Sequence, residues 1–406
     1  MQPPSFENPF RPGAGHQPPF LAGRDADISN ICKLFAQTIV VQNVILTGLR
    51  GVGKTVLLES LKPYAQKMGW LWTSSDMSEV SSLTDDNIVT RILTDISIVT
   101  SSYVISDETH QELGFLGHEN KIKHHLNYDF LKVIFDTTPG LYTDKLKKVI
   151  ETAWLVIKSY GTGANKGIIF AYDEAQNLSD HNDQRQYPLS ILLEVFQSLQ
   201  KKGIPILLIL SGLPTLFPKL VDTRTYAERM FHIFTLGHLN NEASRDAILK
   251  PIQKENCPIQ FTDETVDTII EITGGYPYFI QYICREIFDI WISQPNINDI
   301  PPIPVPDLLC KLDTDFFQGR WLTATDRQRD LLSVIAELDA CDDEFTVQEI
   351  SAKSKELLQK GFSPSHVSQM LASLSAAGLV YKNRKGKYSL AVPLMSQFIK
   401  RQKSSA

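Results

Sequence analysis

Residues 48–55 constrain the fold of this chain more than any other segment. They read Gly-Leu-Arg-Gly-Val-Gly-Lys-Thr, follow an apolar run at Asn43–Thr47 and lead into an amphipathic run that begins at Lys54. Between a strand and a helix, such glycines let consecutive backbone N–H groups point at one phosphate, beside the positive end of the helix. The spacing GxxxxGK[ST] therefore predicts a phosphate-binding loop (P-loop), a unit typical of parallel α/β sheets.

Each residue of this phosphate loop contributes to the expected binding of a nucleotide. The cofactor-binding residues that the motif predicts are Gly48, Leu49, Arg50, Gly51, Val52, Gly53, Lys54, Thr55 and Val56. Lys54, which is also a predicted catalytic residue, would bridge the β- and γ-phosphate oxygens, and Thr55 would offer its hydroxyl to Mg²⁺. The expected cofactors are therefore ATP or ADP and Mg²⁺.

A second apolar run, residues 167–172, ends in the two carboxylates Asp173 and Glu174. A nucleotide site needs such an acidic part: Asp173 would hold a Mg²⁺-bound water, and Glu174 would act as general base on the attacking water. Two acids after an apolar run are a weak signal alone. At about 120 residues after a phosphate loop they are a specific one.

Strand-like and helical patterns alternate over the first 235 residues. The strand-like runs are 44–48, 69–74, 167–172, 204–211 and 231–235, and the helical runs between them are 54–67, 85–99, 141–160 and 189–201. Strands separated by helices indicate a parallel sheet that is covered on both faces. The expected fold class is therefore α/β, with a parallel-sheet P-loop NTPase core and an insertion at about 106–138.

The composition excludes several classes of protein. With 43% hydrophobic and 21% charged residues, the chain can bury a core and is not disordered, collagen-like or a disulfide mini-protein. Its longest uncharged apolar stretch, residues 203–218, is short for a bilayer span and is interrupted by prolines. Five scattered cysteines without a CxxC pair fit a reducing compartment. We therefore expect a cytoplasmic protein without membrane contact.

Three segments together resemble the AAA+ superfamily: the phosphate loop, the strand end Asp-Glu-Ala-Gln at 173–176, and Phe-Leu-Ala-Gly-Arg-Asp at 20–25. The resemblance covers about residues 20–291. It is closest to the branch that holds origin-recognition-type initiators, archaeal-type and STAND-like ATPases and transposition regulators. It implies ATP hydrolysis, a helical lid after the core, and contact of Gly23 and Arg24 with the adenine side of the nucleotide.

The resemblance also implies roles for two residues near the ends of core strands. Ser211 corresponds to the polar strand tip that acts as sensor 1 near the γ-phosphate; a simple turn cap is the alternative. Arg229 corresponds to an arginine finger that enters the site of a neighbouring subunit, which implies a homo-oligomer. Arg224 is a rival for that role, and a surface ion pair is a further alternative.

The start of the last lid helix departs from the common family pattern. Many AAA+ proteins place a sensor 2 arginine three residues after the glycine, where this chain has Tyr278. The sequence Gly-Gly-Tyr-Pro at 274–277 instead resembles STAND and archaeal-type ATPases, in which this turn approaches the nucleotide. The resemblance therefore places Tyr276 and Pro277 at the nucleotide, without strong coupling of the lid to the γ-phosphate.

The C-terminal part is basic and has the pattern of three helices followed by a hairpin. No Asp or Glu occurs after residue 360, although the whole chain has a net charge of −6. This order resembles a winged helix, whose contacts to DNA phosphates would come from Lys382, Arg384, Lys385 and Lys387. Because many winged helices dock on proteins, duplex DNA and an unknown protein partner remain alternatives.

The sequence thus predicts five parts. They are a Pro-rich arm with the adenine-side element at 1–24, an AAA+ core at 25–238, an all-helical lid at 239–293, a Pro-rich linker at 294–313 and a winged-helix domain at 314–406. The expected function is Mg-ATP hydrolysis that drives a conformational or assembly switch, associated with DNA through the winged helix. The alternative is a STAND-like regulatory ATPase whose winged helix is autoinhibitory or docks on protein without nucleic acid.

Overall fold

The computed structural model describes residues 6–13, 15–111, 119–160, 165–294 and 302–404. The chain divides into two units, each with its own hydrophobic core. The sheet unit consists of Ala26–Thr47 and Leu57–Thr235. The helical unit consists of Met1–Asp25, Gly48–Val56 and Leu236–Ala406.

The strands of the sheet unit form one parallel sheet and one antiparallel hairpin. Their bounds are β1 (Asn43–Thr47), β2 (Trp70–Asp76), β3 (Val104–Gln111), β4 (Glu119–His125), β5 (Gly167–Asp173), β6 (Ile206–Gly212) and β7 (Phe231–Thr235). The parallel sheet has the order β2–β5–β6–β1–β7, and β3 pairs with β4. The predicted parallel α/β sheet is confirmed, and each of its strands begins and ends within about two residues of the prediction.

Helices accompany the sheet, as the alternating pattern predicts. They are α1 (Asp25–Ala36), α2 (Lys54–Lys67), α3 (Asp85–Thr100), α4 (Tyr128–Thr137), α5 (Tyr142–Tyr160), α6 (Pro188–Lys201), α7 (Leu216–Thr223) and α8 (Ala227–Met230). Every residue of β1, β5 and β6 is buried. Burial on both faces explains why these strands are almost continuously apolar in sequence.

The parallel register brings the ends of three strands to one edge of the sheet. Leu46 pairs with Ser211, and Tyr172 pairs with Leu210. The phosphate loop therefore leaves β1 at the same edge at which Glu174 follows β5. In open parallel sheets this is the edge at which ligands usually bind.

The segment interpreted as an insertion is partly structured. β3 and β4 form a hairpin with one register shift, and α4 follows them; residues 112–118 lie outside the described residues. Both strands are rich in polar and charged residues. The alternation that marks a half-buried strand is therefore missing from the sequence.

The first helices of the helical unit after the sheet are α9 (Asn241–Lys254), α10 (Asp263–Thr273) and α11 (Pro277–Ile292). The side chains of Asn240 and Thr262 cap the first two helices by accepting hydrogen bonds from backbone N–H groups. Gly274 follows α10 with a φ of 55°, the left-handed C-terminal cap that its position predicts.

The proline-rich arm packs against these helices. The Asn8 side chain donates hydrogen bonds to the backbone oxygen of Arg285 and to Asp289. The ring of Phe10 stacks on that of Phe261, with centroids 6.1 Å apart. The described part of the arm contains no helix or strand before α1. The described part of the arm thus contacts α11 and the segment before α10 without forming a helix or strand of its own.

The predicted linker at 294–313 contains a helix where only extended chain was expected. Helix α12 spans Val305–Leu312 and carries Pro306 in its first turn. Proline is compatible with the first turn of a helix because the N–H that it lacks would have no partner there. The prolines interpreted as a stiff linker therefore include one that starts a helix; residues 295–301 lie outside the described part of the chain.

The remaining chain contains short helices and a hairpin. A π-helical turn at Asp313–Gln318 is followed by α13 (Gly319–Thr323), α14 (Asp326–Ala336), α15 (Val347–Leu357), α16 (Pro364–Ala376), β8 (Val380–Arg384), β9 (Lys387–Leu390) and α17 (Met395–Ser404). Thr325 and Thr346 start α14 and α15 with reciprocal capping boxes. Among the described residues, no helix combines the length and apolarity that crossing a membrane requires.

Candidate functional site

The phosphate loop curls through glycines in left-handed conformations. Gly51 and Gly53 have φ values of 79° and 90°, which residues with a side chain rarely adopt. Lys54 is the first residue of α2 and is buried. Its ammonium donates hydrogen bonds to the backbone oxygens of Gly48 (3.0 Å) and Leu49 (2.9 Å). The lysine therefore lies across the backbone of its own loop.

Val52 of the loop is buried, whereas other loop residues are more accessible. Thr55 and Val56 are partly exposed in the first turn of α2, and Gln17 of the arm donates a hydrogen bond to Val56 O (3.0 Å). Arg50 is exposed. Burial, and then the positive charge of Arg50, lowers the pKa of the Arg320 guanidinium. The loop is thus electropositive. The sequence patterns do not indicate that Arg320 adds a further positive charge near Arg50.

Arg24 supports the loop from the element that the sequence places at adenine. Its buried guanidinium donates hydrogen bonds to Val52 O (3.0 Å) and Gly237 O (2.7 Å). A Cβ on Gly23 would lie 2.6 Å from Ala243 Cβ, so only glycine permits this approach to α9. Arg24 therefore holds the backbone of the phosphate loop, while adenine contact by this element stays a prediction.

Tyr278 contacts the loop at the position where many AAA+ proteins have an arginine. Its backbone N–H donates a hydrogen bond to Gly51 O (3.1 Å), and a Cβ on Gly51 would lie 3.0 Å from Tyr278 Cβ. The Tyr278 ring lies 5.1 Å from that of Phe316. Tyr276 and Pro277 immediately precede it, at the boundary and first residue of α11. This turn thus reaches the loop through the main chain instead of a charged side chain.

Asp173 ends β5 as a buried carboxylate. Its Oδ1 accepts hydrogen bonds from Ser211 Oγ (2.6 Å) and from the Glu174 backbone N–H (2.8 Å). Glu174 is exposed and has a φ of 50°, a conformation that is uncommon for a residue with a side chain. The structure therefore brings together three of the predicted site residues, Asp173, Glu174 and Ser211, at the ends of β5 and β6.

Asp76 is a third carboxylate at this edge, and sequence reasoning missed it. It ends β2 and pairs in register with Asp173. Asp76 is exposed, but the partial loss of hydration at this edge, followed by the negative charges of Asp173 and Glu174, raises its pKa. Among the described residues, acidic, histidine and cysteine side chains form no three-membered group that could hold a metal. No motif marks Asp76, because only the pairing of β2 with β5 places it here.

The two candidate arginine fingers lie around α8. Arg229 is exposed in α8, and within the described ranges it forms no ion pair. Arg224 is partly buried and donates a hydrogen bond to Thr223 O (3.2 Å). The surface ion pair considered for Arg229 is thus not found among these residues, and its role as a finger stays a prediction.

The four basic side chains of the hairpin β8–β9 differ in their exposure and in their ion pairing. Arg384 donates two hydrogen bonds to Glu344, at 3.1 and 2.7 Å. Lys382 and Lys385 are exposed, and Lys387 is partly exposed. The charge of Arg384 is therefore already balanced within the protein, which leaves three lysines for contact with an external anion.

Comparisons with known proteins give fold-level similarity. A family model described as a domain of unknown function (DUF8462) matches residues 314–399. No curated protein matches the sequence. The Walker-type ATPase of Pyrococcus abyssi is similar with a TM-score of 0.56 at 13% identity, over 94% of this chain and 96% of that chain. The ORC2 protein of Aeropyrum pernix, in ADPNP-ADP complexes, has a TM-score of 0.56 at 12% identity, over 97% and 98%.

The chain has the AAA+ fold. Its neighbours include an archaeal ORC-type ATPase, so the predicted resemblance to the origin-recognition branch is confirmed for the fold. The AAA+ sheet also accounts for where the acidic residues lie, since each of them ends or follows a parallel strand. At 12–13% identity the similarity concerns architecture alone.

Replacement of Asp76 tests whether repulsion between the carboxylates at this edge destabilises the folded state. Because the pKa of Asp76 is raised in the folded state, its ionised form destabilises that state at neutral pH. Asp76→Asn should therefore raise the melting temperature at pH 7 in EDTA. The gain should disappear below the ordinary aspartate pKa of about 3.9, where both states are protonated. Exposed Asp183→Asn is the control, and an unchanged or lower melting temperature for Asp76→Asn contradicts the assignment.

Proposed function

We propose that this chain is an AAA+ ATPase that binds Mg-ATP and hydrolyses it to drive a conformational or assembly switch. The observation that carries the proposal is a phosphate loop that directly follows β1, in the same parallel sheet in which β5 ends at Asp173 and is followed by Glu174. The similar Pyrococcus abyssi protein is named a Walker-type ATPase, and the similar ORC2 structures hold ADPNP and ADP. These names support nucleotide binding by this chain.

The residues of the loop fit a nucleotide phosphate chain. Gly51 and Gly53 adopt the left-handed conformations that expose backbone N–H groups on one side of such a loop. Lys54, which lies across the loop backbone, would exchange its carbonyl partners for β- and γ-phosphate oxygens. The hydroxyl of Thr55, in the first turn of α2, would be a Mg²⁺ ligand.

The acidic residues fit the chemistry of hydrolysis. Bound Mg²⁺ would neutralise charge on the transferring phosphoryl group. Asp173 would accept a hydrogen bond from a water on that ion, and Ser211, bonded to Asp173, would hold this carboxylate in place. Glu174 would take a proton from the attacking water as general base. Sensor 1 contact of Ser211 with the γ-phosphate belongs to the same proposal.

Two substitutions separate binding from hydrolysis. Lys54→Ala should abolish tight ATP binding because it removes the cation that contacts the phosphates. Glu174→Gln should leave ATP affinity within about twofold and reduce turnover by a factor of about 10² to 10⁴, the usual contribution of a general base. Calorimetry and phosphate release measure the two quantities, with Lys67→Ala at the end of α2 as the control. Equal loss of ATP affinity in both variants contradicts these roles.

Arg229 is the proposed residue for completing the site of a neighbouring subunit in a homo-oligomer. Its exposure in α8 and its lack of an ion pair among the described residues support this role. Turnover per subunit should rise with protein concentration, and Arg229→Ala should remove that rise at unchanged ATP affinity. Arg224→Ala is the matched variant. Turnover that is independent of concentration and of Arg229 means that one chain suffices.

The C-terminal helices and basic hairpin form a proposed winged helix that binds duplex DNA through phosphates. Replacing Lys382, Lys385 and Lys387 by alanine should shallow the dependence of log K on log salt by up to about 2.7, at about 0.9 for each contact. Arg384→Ala should change this slope less, because Glu344 already balances its charge. The loss should be similar for unrelated duplexes, since phosphate contacts carry no base information.

A regulatory ATPase without nucleic acid is the second candidate function, in which the C-terminal part acts as a clamp or docks on a protein. Contacts of this part with α11 favour it: the Phe316 ring packs on Tyr278, and Tyr282 donates a hydrogen bond to Asp315 (2.6 Å). If the wild-type protein binds no duplex at low salt, or if the triple lysine variant shows increased ATPase activity, this candidate replaces the DNA proposal.

A further inference from the structure

We infer that Lys219 is a positioning residue that holds the Glu174 carboxylate in its working orientation through Gln176. The inference rests on the proposed role of Glu174 as general base. Lys219 belongs to α7, and no sequence motif marks it. All the residues involved lie in the sheet unit.

Lys219 donates hydrogen bonds to several residues of the turn that follows Glu174. Its ammonium donates hydrogen bonds to Gln176 O, to Leu178 O (3.2 Å) and to Ser179 Oγ (2.9 Å). An ammonium has three donors, and all three are used within four consecutive residues of the chain. Burial lowers the pKa of Lys219, and no carboxylate among the described residues pairs with it. The Lys219 ammonium therefore interacts with this turn through all three of its donors.

The Gln176 amide connects this turn to Glu174. Its Nε2 donates a hydrogen bond to Glu174 Oε2, and its Oε1 accepts one from the Leu213 N–H (3.1 Å). A Cβ at position 212 would lie 2.7 Å from Gln176 Oε1, so Gly212 is what admits the amide to this place. One side chain thus joins the residue after β5 to the residue after β6.

The two carboxylate oxygens of Glu174 have different roles in this arrangement. Oε2 is occupied by the Gln176 donor, which leaves Oε1 to accept a proton from water. Since Glu174 stands in a left-handed conformation, its orientation depends on how the next residues of the chain are held. Without Lys219, the carbonyls of Gln176 and Leu178 lose their shared donor, and the amide loses its fixed position.

Lys219→Met tests this role because it keeps the length of the side chain and removes the donors. Turnover should fall by about tenfold to a hundredfold, the effect of misplacing a catalytic group by about 1 Å, while ATP affinity stays within about twofold. Lys219→Arg, which keeps the charge, should recover part of the loss. Lys147→Met is the matched control, since Lys147 is also a partly buried lysine, paired with Glu194 at 3.2 Å; its turnover should be unchanged.

A double-mutant cycle tests the route through Gln176. If both residues act on Glu174 as one unit, Gln176→Leu combined with Lys219→Met should be no slower than the slower single variant. Gln176→Leu combined with Lys147→Met should equal Gln176→Leu alone. A Lys219→Met effect that multiplies with that of Gln176→Leu, or a lower melting temperature with wild-type turnover of the folded protein, overturns the inference.

Hydrogen exchange separates this inference from the proposed function. The Leu213 amide, bonded to Gln176 Oε1, should exchange at least about tenfold faster in Lys219→Met and at the wild-type rate in Lys147→Met. This readout needs no turnover. An unchanged Leu213 exchange rate overturns the inference even if ATP hydrolysis is found. A wild-type protein that does not hydrolyse ATP refutes the proposed function while the exchange result still decides whether Lys219 holds the turn.

Discussion

Burial of β1, β5 and β6 on both faces is the constraint on which the site depends. A strand that is covered on both sides can carry polar groups at low cost only where it ends, because an unpaired polar group inside the sheet costs about 1–3 kcal/mol. The parallel register then gathers those ends at one edge. Packing therefore leaves this edge as the place where the sheet carries its polar side chains.

The carboxylates that strand packing brings to this edge repel one another. Asp76, Asp173 and Glu174 lie close enough that the charges of the latter two raise the pKa of Asp76. The fold offsets part of this repulsion with hydrogen bonds to Asp173 from Ser211 and from the backbone. The loop that leaves β1 is electropositive instead, with Lys54 at its end. The two signs of charge thus arise from different segments of the chain.

The parts of the structure that the sequence predicts are those with a local cause. Continuous apolar runs predict the buried strands, and the spacing of glycines and Lys54 predicts the loop. Helix α12 escapes prediction because Pro306 suits both an extended linker and a first helical turn. Asp76, Lys219 and the contacts of Gln176 are not predicted, because they depend on strand order and on contacts between segments about 40 to 100 residues apart. Neither is encoded in a local pattern.

The hydrogen bond from the Tyr278 N–H to Gly51 O has a consequence for the stability of α11. Tyr276, at the N-cap of this helix, makes no side-chain cap, and Pro277 has no N–H. The Gly51 carbonyl therefore serves as the missing cap, which typically contributes about 0.5–2 kcal/mol to a helix. A change in the position of the Gly51 carbonyl would therefore also weaken the cap of α11. The loop and the start of α11 are thus linked through the main chain, without a charged side chain between them.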